Sequence, residues 1–457
     1  MSSVALSKSK HDVDMTKGNI MRHIIAFSLP LLAGNMFQQL YNMVDTWVVG
    51  NYVSDEAFAA VGTVGSYVNM LIGFFMGFSN GAGVVISQNY GAKKFDKVNK
   101  AVHTSIIMTL VLGIAFTIVG IATIPFVLKN IMKFPADVYP EAKEYLVIYF
   151  AGLLGLMIYN VGSGIMRAVG DSKRPFYFLV VSAIVNIILD FLFVLAFDMG
   201  VAGVAYATII AQAVSAFLVI LSLAKSDDFV KLSIHNMQVD FGLLKRILSI
   251  GFPSAIQLAV TAFSNMFVYS YINFFGKDMM GGYTAYSKID QIIMMPMQSV
   301  SIAITTFVGQ NYGKGDMDRT KRGVKSAMIV SFVVTAVVTL FVVVFAPFLT
   351  EFFNKNPEVI KYGTMLLRYI SPFFILCCAN QVLAGALRGM GNTKAPMLIT
   401  LFSFVLFRQI YLYIMANFIS NTELPIVMSF PVGWIMCSVI TAIYYKSYIK
   451  KIKPDEL

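Results

Sequence analysis

Charge is scarce in this sequence. Only 13% of its 457 residues are Asp, Glu, Lys or Arg, against about 25% in a typical soluble domain. Hydrophobic residues make up 57%, and the mean hydropathy is +0.72. A water-soluble globular protein is thereby excluded, and so is a disordered one, which could not be this apolar. Histidine is almost absent, with four residues, and no His-Glu-x-x-His occurs, so nothing suggests a membrane zinc protease. No Gly-x-x-x-x-Gly-Lys-Ser/Thr loop is present to bind the phosphates of a nucleotide. Cysteine is equally sparse. Cys377, Cys378 and Cys437 lie in apolar stretches without ligand-like spacing and read as packing thiols, neither a metal site nor a disulfide framework.

What the sequence does have is long apolar runs, recurring almost to its end. They fall at about 24–49, 57–86, 101–128, 144–166, 175–198, 200–224, 246–275, 283–308, 323–350, 360–387, 396–418 and 424–446. Each matches a tilted helix across an apolar layer of about 30 Å. Strands of a membrane barrel would need only about ten residues each. The expected fold is therefore an all-α membrane protein with twelve transmembrane helices. A polar tail of about 23 residues precedes the first span, whose length exceeds that of a signal peptide.

The net charge is +11. In a soluble protein this would raise nucleic acid as a partner. In a polytopic chain it marks cytoplasmic loops, and no nucleic-acid partner is expected. The N-terminal tail, 87–100, 167–175, 225–246, 309–325, 388–395 and the C-terminal tail hold 26 of the 35 basic residues. Both termini and the mid-chain linker 225–246 are therefore expected in the cytoplasm, the protein itself in the cell membrane among its lipids.

The two halves repeat each other. Pro30 and Asn42 match Pro253 and Asn265 at an offset of 223. Gln88-Asn89-Tyr90-Gly91 recurs as Gln310-Asn311-Tyr312-Gly313, offset 222. Arg167-Ala168-Val169-Gly170-Asp171-Ser172-Lys173-Arg174-Pro175 recurs as Arg388-Gly389-Met390-Gly391-Asn392-Thr393-Lys394-Ala395-Pro396, offset 221. The sequence divides into an N-terminal lobe, 1–230, with spans one to six, and a C-terminal lobe, 231–457, with the linker and spans seven to twelve. Six spans per repeat is an even number, so both lobes enter the membrane in the same sense. They should be related by a pseudo-twofold axis along the membrane normal, around a central cleft, as in transporters.

An ionisable residue within a bilayer is costly and marks function by default. Three acids fall well inside spans: Asp45, Asp190 and Asp290. Asp45 shares a helical row with Gln38 and Asn42, and Asp190 lies four residues after Asn186. Counting rise per residue, Asp45, Asn186, Asp190 and Thr208 all fall in the outer half of the membrane. Two carboxylates, an amide oxygen and a hydroxyl suit a hard cation such as Na+, and the same carboxylates could carry protons. Asp290 could instead pair with Lys288. Arg408, near the middle of span eleven, could meet a substrate anion or neutralise an acid. Pro30, inside span one, permits a kink and is the candidate hinge. The 27 methionines and 14% aromatics suit a cavity for bulky cations, and equally suit ordinary packing.

Taken in order, Asp45-Thr46-Trp47-Val48-Val49-Gly50, the two Gln-Asn-Tyr-Gly segments, the two Arg-x-x-Gly-x-x-Lys-x-Pro segments, Asn186 to Asp190 and Gly200 to Thr208 resemble the multidrug and toxic compound extrusion (MATE) family over essentially the whole chain. The resemblance implies two six-helix lobes and no enzymatic activity. It also implies secondary active efflux of small organic cations against Na+ or H+, with no other cofactor, by a chain acting as a monomer. It implies a cation site at Asp45, Asn186, Asp190 and Thr208, with Gln38, Asn42 and Asn160 lining the substrate cleft. Other branches of the family carry acids on spans seven and ten. Here those spans offer Gln257, Thr261, Cys377, Asn380 and Gln381 and no acid, which favours the N-lobe site. The alternatives are a lipid-linked saccharide flippase of the same superfamily, or a membrane scaffold without transport.

Overall fold

A chain this apolar must satisfy its backbone hydrogen bonds within each segment, and it does so with helices. The computed structural model describes residues 13–132, 134–226, 229–233, 235 and 237–452. Residues 1–12 of the expected polar tail, and Asp227 and Asp228 of the linker, lie outside them. No strand occurs among the described residues.

The first repeat comprises α1 (Ile20–Tyr52), α2 (Asp55–Gly91), α3 (Phe95–Phe126), α4 (Tyr139–Ala151), α5 (Leu153–Ala168), α6 (Lys173–Phe191) and α7 (Gly200–Ala224). The second comprises α8 (Phe241–Asn273), α9 (Lys277–Gly313), α10 (Met317–Phe353), α11 (Pro357–Ile370), α12 (Phe374–Gly389), α13 (Lys394–Thr400), α14 (Arg408–Ile414), α15 (Glu423–Val427) and α16 (Ser429–Lys451). Among the described residues eleven helical stretches, some joining consecutive helices, are long and apolar enough to span a membrane. α4 and α5, bent by 48° at Gly152, pass the same test only together, and make twelve where the pair is one span. These stretches and the bent pair fall, in order, on the twelve expected apolar runs. Their outward faces are apolar, as Val111, Ile118, Val337, Leu340 and Phe348 on α3 and α10 show. Buried serines and threonines close their hydroxyls on the preceding turn, as Ser105 does on the Ala101 carbonyl and Thr109 on that of Ser105. A polar group facing inward thus costs little in lipid.

The duplicated sequences are turn and anchor chemistry. Gly170 and Gly391 take φ of +97° and +84° where α5 and α12 end, a left-handed conformation open to glycine. The next residue braces the first turn of the following helix. Asp171 accepts the Lys173 and Arg174 amides, and Asn392 accepts that of Ala395.

The helices form two compact units, and the chain exchanges between them. One unit contains Ala33–Phe252, the other Met15–Leu32 together with the chain from Pro253 onward. These units differ from a cut at 230/231. The first part of α1 packs with the second repeat: Met15, Ile24, Phe27 and Leu31 join Ile304, Phe307, Val308 and Leu387 in one core. The first part of α8 packs with the first repeat, Ile247 and Ile250 lying against Phe78 and Val85. The crossing points fall at or just after Pro30 and Pro253.

The Gln-Asn-Tyr-Gly copies receive the exchanged ends. Met15 donates its amide to Gln310 Oε1 (2.9 Å), and Arg319 donates to the Met15 and Lys17 carbonyls (3.0 and 2.8 Å from Nη2). In the first unit Arg246 Nη2 donates to Gln88 Oε1 at 2.6 Å. Gly81 makes the α2–α8 approach possible, since a Cβ there would sit 2.5 Å from the Ile247 carbonyl oxygen.

Candidate cation site

In the first unit, α1, α6 and α7 bring Asp45, Asn186, Asp190 and Thr208 together. All four are buried, Asp45 at 6% exposure and Asp190 at 0%. Spacings of four on α6 put Asn186 and Asp190 on one face. Thr208 Oγ1 lies 3.4 Å from Asp45 Oδ2 and also donates to the Val204 carbonyl at 2.9 Å. The Asp45 carboxylate further meets the side chains of Asp190 and Asn186.

Close as these side chains are, Asp45 Oδ1, both Asp190 oxygens, and the amide oxygen and nitrogen of Asn186 form no hydrogen bond of good geometry with the protein. Buried polar groups are normally hydrogen-bonded, and two carboxylates cannot satisfy each other unless a proton or a cation lies between them. The donor set, carboxylate, amide and hydroxyl oxygens, is of the hard type that a hard cation selects.

Sequence reasoning missed three neighbours. Tyr145 and Tyr149 of α4, one turn apart with rings 6.1 Å between centroids, lie within electrostatic reach of Asp45. Gln212 contacts the Tyr149 hydroxyl at 3.5 Å, and its Oε1 is a further buried oxygen without a partner. Gln212 follows Thr208 by four, so helical spacing would have placed it on the same face. The tyrosines carried no such signal.

The residues expected to line the substrate cleft have surroundings of their own. Asn42 is exposed although it shares a helical row with Asp45. Gln38 is half-buried beside Tyr41. Asn160 donates to the Leu156 carbonyl while its own carbonyl accepts the Ser79 hydroxyl. Pro30 lies inside α1 just before the crossing at Leu32–Ala33.

In the second unit, Gln257 donates to Thr400, and Asn380 accepts from Thr441. Cys377 lies against Met294, and Cys378 donates to Ser331. No ion pair joins Lys288 to Asp290 among the described residues: Lys288 is exposed, and Asp290 accepts the Tyr286 hydroxyl at 3.4 Å.

Twelve apolar spans in two copies of one six-span unit, with a carboxylate pair deep in one copy, are the architecture of an integral membrane transporter. The chain belongs to the MatE family, whose model matches it twice, over residues 30–192 and again over 253–414. It is similar to the probable multidrug resistance protein YpnP of Bacillus subtilis (strain 168), 29% identical over 395 residues, which are 86% of this chain and 88% of that protein. It is also similar to YoeA of the same strain, another probable multidrug resistance protein, 25% identical over 95% of this chain and 96% of the other. Among solved structures it shares the fold of a MOP superfamily transporter from Pyrococcus furiosus. The TM-score is 0.92 at 23% identity, over 97% of this chain and 99% of that one.

Proposed function

We propose that this chain is a secondary active multidrug efflux antiporter that exports small organic cations in exchange for Na+ or H+. The observation that carries it is the buried pair Asp45 and Asp190, with oxygens that no protein donor satisfies, beside Asn186 and Thr208. Such a pair gains most from a positive charge that can come and go. The names of the similar bacterial proteins point to multidrug resistance as the cargo class.

Asp45, Asn186, Asp190 and Thr208 would hold the ion. It supplies the charge that relieves two adjacent carboxylates. Exchange requires that ion and cargo favour different states, because a ligand with equal affinity for both shifts nothing. α1 is the element that can report occupancy, since it carries both Asp45 and Pro30, and Pro30 leaves one backbone carbonyl of the helix without its usual donor. The excess of Lys and Arg on alternate loops supports cytoplasmic termini, and an ion gradient directed into the cell would drive the cargo outward. The protein works in the cell membrane as a monomer.

The test is efflux of a cationic dye from proteoliposomes with Na+ and proton gradients imposed separately. Dye movement driven by one gradient and abolished in Asp190→Asn is the expected result. Dye movement indifferent to both gradients rejects antiport.

A further inference from the structure

The repeat allows the cation site to be located in the second unit, and what stands there is different in kind. On the first span of each half the offset is 223, which sets Val268 at the place of Asp45. On the eleventh span the offset begins at 221, Pro175 matching Pro396. There the helix contains a π-helical segment, Leu401–Phe407, between α13 and α14. A π turn takes up an additional residue, so beyond it the offset is 222. Arg408 then stands where Asn186 stands, and Leu412 where Asp190 stands; all four are buried. The same offset pairs Phe430 with Thr208 and Trp434 with Gln212. It also pairs the buried row Ala211, Gln212, Ser215 and Ala216 with the buried row Gly433, Trp434, Cys437 and Ser438.

Both acids of the first copy are therefore apolar in the second, as Val268 and Leu412, each fully buried. One helical turn before Leu412 stands a cation that belongs to the chain. Arg408 is 1% exposed. Its Nη2 donates to the Ser264 hydroxyl and to Asn265 Oδ1 at 3.0 Å, a hydroxyl and an amide oxygen, the kinds of group that Thr208 and Asn186 supply in the first copy, although these two stand at other positions of the repeat. Phe404 and Phe430 turn their faces to the guanidinium at 5.2 and 5.4 Å. Nε has no partner, and no carboxylate forms an ion pair with Arg408 among the described residues. A buried charge without a counter-charge is costly. The oxygens and ring faces around it form the shell of a cation-binding site, filled by a side chain.

We propose that Arg408 is a tethered cation that permanently occupies the second copy of the ion site, so that the second unit keeps a fixed positive charge while only the first exchanges its ion. The proposal rests on the reading of Asp45 and Asp190 as an ion site. Arg408 acts as a positioning residue: its charge holds α14 to α8 and to Phe430 in the arrangement that an ion would otherwise maintain.

The experiment removes the tether and returns the cation. Arg408→Ala, purified in detergent, should melt below the wild type. Methylguanidinium at millimolar concentration should raise its Tm, as a ligand of the native state does, and restore dye efflux in proteoliposomes, with no effect of either kind on the wild type. Arg408→Lys should retain efflux, and Arg408→Met, of similar length without charge, should lose it. Should Arg408→Ala not yield folded protein, the Lys and Met variants decide. Activity in both or loss in both overturns the proposal, as does an equal methylguanidinium shift in Arg408→Ala and wild type. The thermal shift involves no ion gradient, so failure of the antiport reading, seen as unaltered ion coupling in Asp190→Asn, is distinguishable from failure of this one.

Discussion

Replacing Asp190 by Asn removes one charge from the site while preserving its volume. Asp190 is fully buried, and neither of its oxygens has a protein donor. Folding should survive, because an uncompensated buried charge is lost and an amide can still hydrogen-bond. The Tm should stay level or rise. Ion binding should not survive. A monovalent cation about 4 Å from each carboxylate gains about 4 kcal/mol from each at an effective dielectric constant of about 20. Losing one of the two costs about a thousandfold in ion affinity. The assay pairs an ion titration of purified protein with gradient-driven dye efflux at matched expression. Asp45→Asn should behave alike. Asp290→Asn should cost less, since that acid stands in the other unit with Tyr286 as its hydrogen-bond donor. Normal ion affinity and efflux in both Asp45→Asn and Asp190→Asn, with loss in Asp290→Asn, would refute the reasoning and move coupling to the second unit.

Gly170→Ala should destabilise more than Gly315→Ala. Both glycines have positive φ, which costs a residue with a Cβ about 1–2 kcal/mol, but only at Gly170 would the added carbon also meet the Val13 carbonyl oxygen, at 2.2 Å; comparative melting curves check the order. Arg319→Met should free the Met15–Lys17 carbonyls that Arg319 now holds, costing about 3 kcal/mol for hydrogen bonds from a charged donor. Faster hydrogen exchange at the start of α1 is the signature, and unchanged protection would show the contacts to be idle. Lys288→Ala should leave the Tm nearly unchanged, because the side chain is exposed and forms no ion pair among the described residues; a large drop would reinstate a partnership with Asp290. A single cysteine at His235, in a background lacking Cys377, Cys378 and Cys437, should react with an impermeant thiol reagent only in opened cells, and labelling in intact cells would reverse the assigned orientation.

The twelve spans could be read from the sequence because a membrane span needs about twenty apolar residues in a row, a local property. The repeat could be read because Gln-Asn-Tyr-Gly and Arg-x-x-Gly-x-x-Lys-x-Pro survive literally in both halves, and both serve local purposes, a left-handed turn and a helix start, that few residues satisfy. Asp45, Asn186, Asp190 and Thr208 stood out because carboxylates and amides are rare in apolar runs. Which of the nearby polar groups join them was settled only by the packing of α1, α4, α6 and α7. Asn42, in the same helical row as Asp45, is exposed, while Tyr145 and Tyr149 come within electrostatic reach of Asp45 and Gln212 reaches Tyr149. The exchange of helix ends between the two units was equally invisible. A continuous apolar helix looks the same whichever neighbours its first turns choose, and that choice depends on surfaces contributed by residues more than two hundred positions away. The same holds for Arg408. Aligned by sequence it falls opposite Ile187, and only the additional residue in the π turn rotates it onto the buried face that Asn186 occupies in the first copy. Spacing along the chain determines a residue's neighbours only while the helix stays regular.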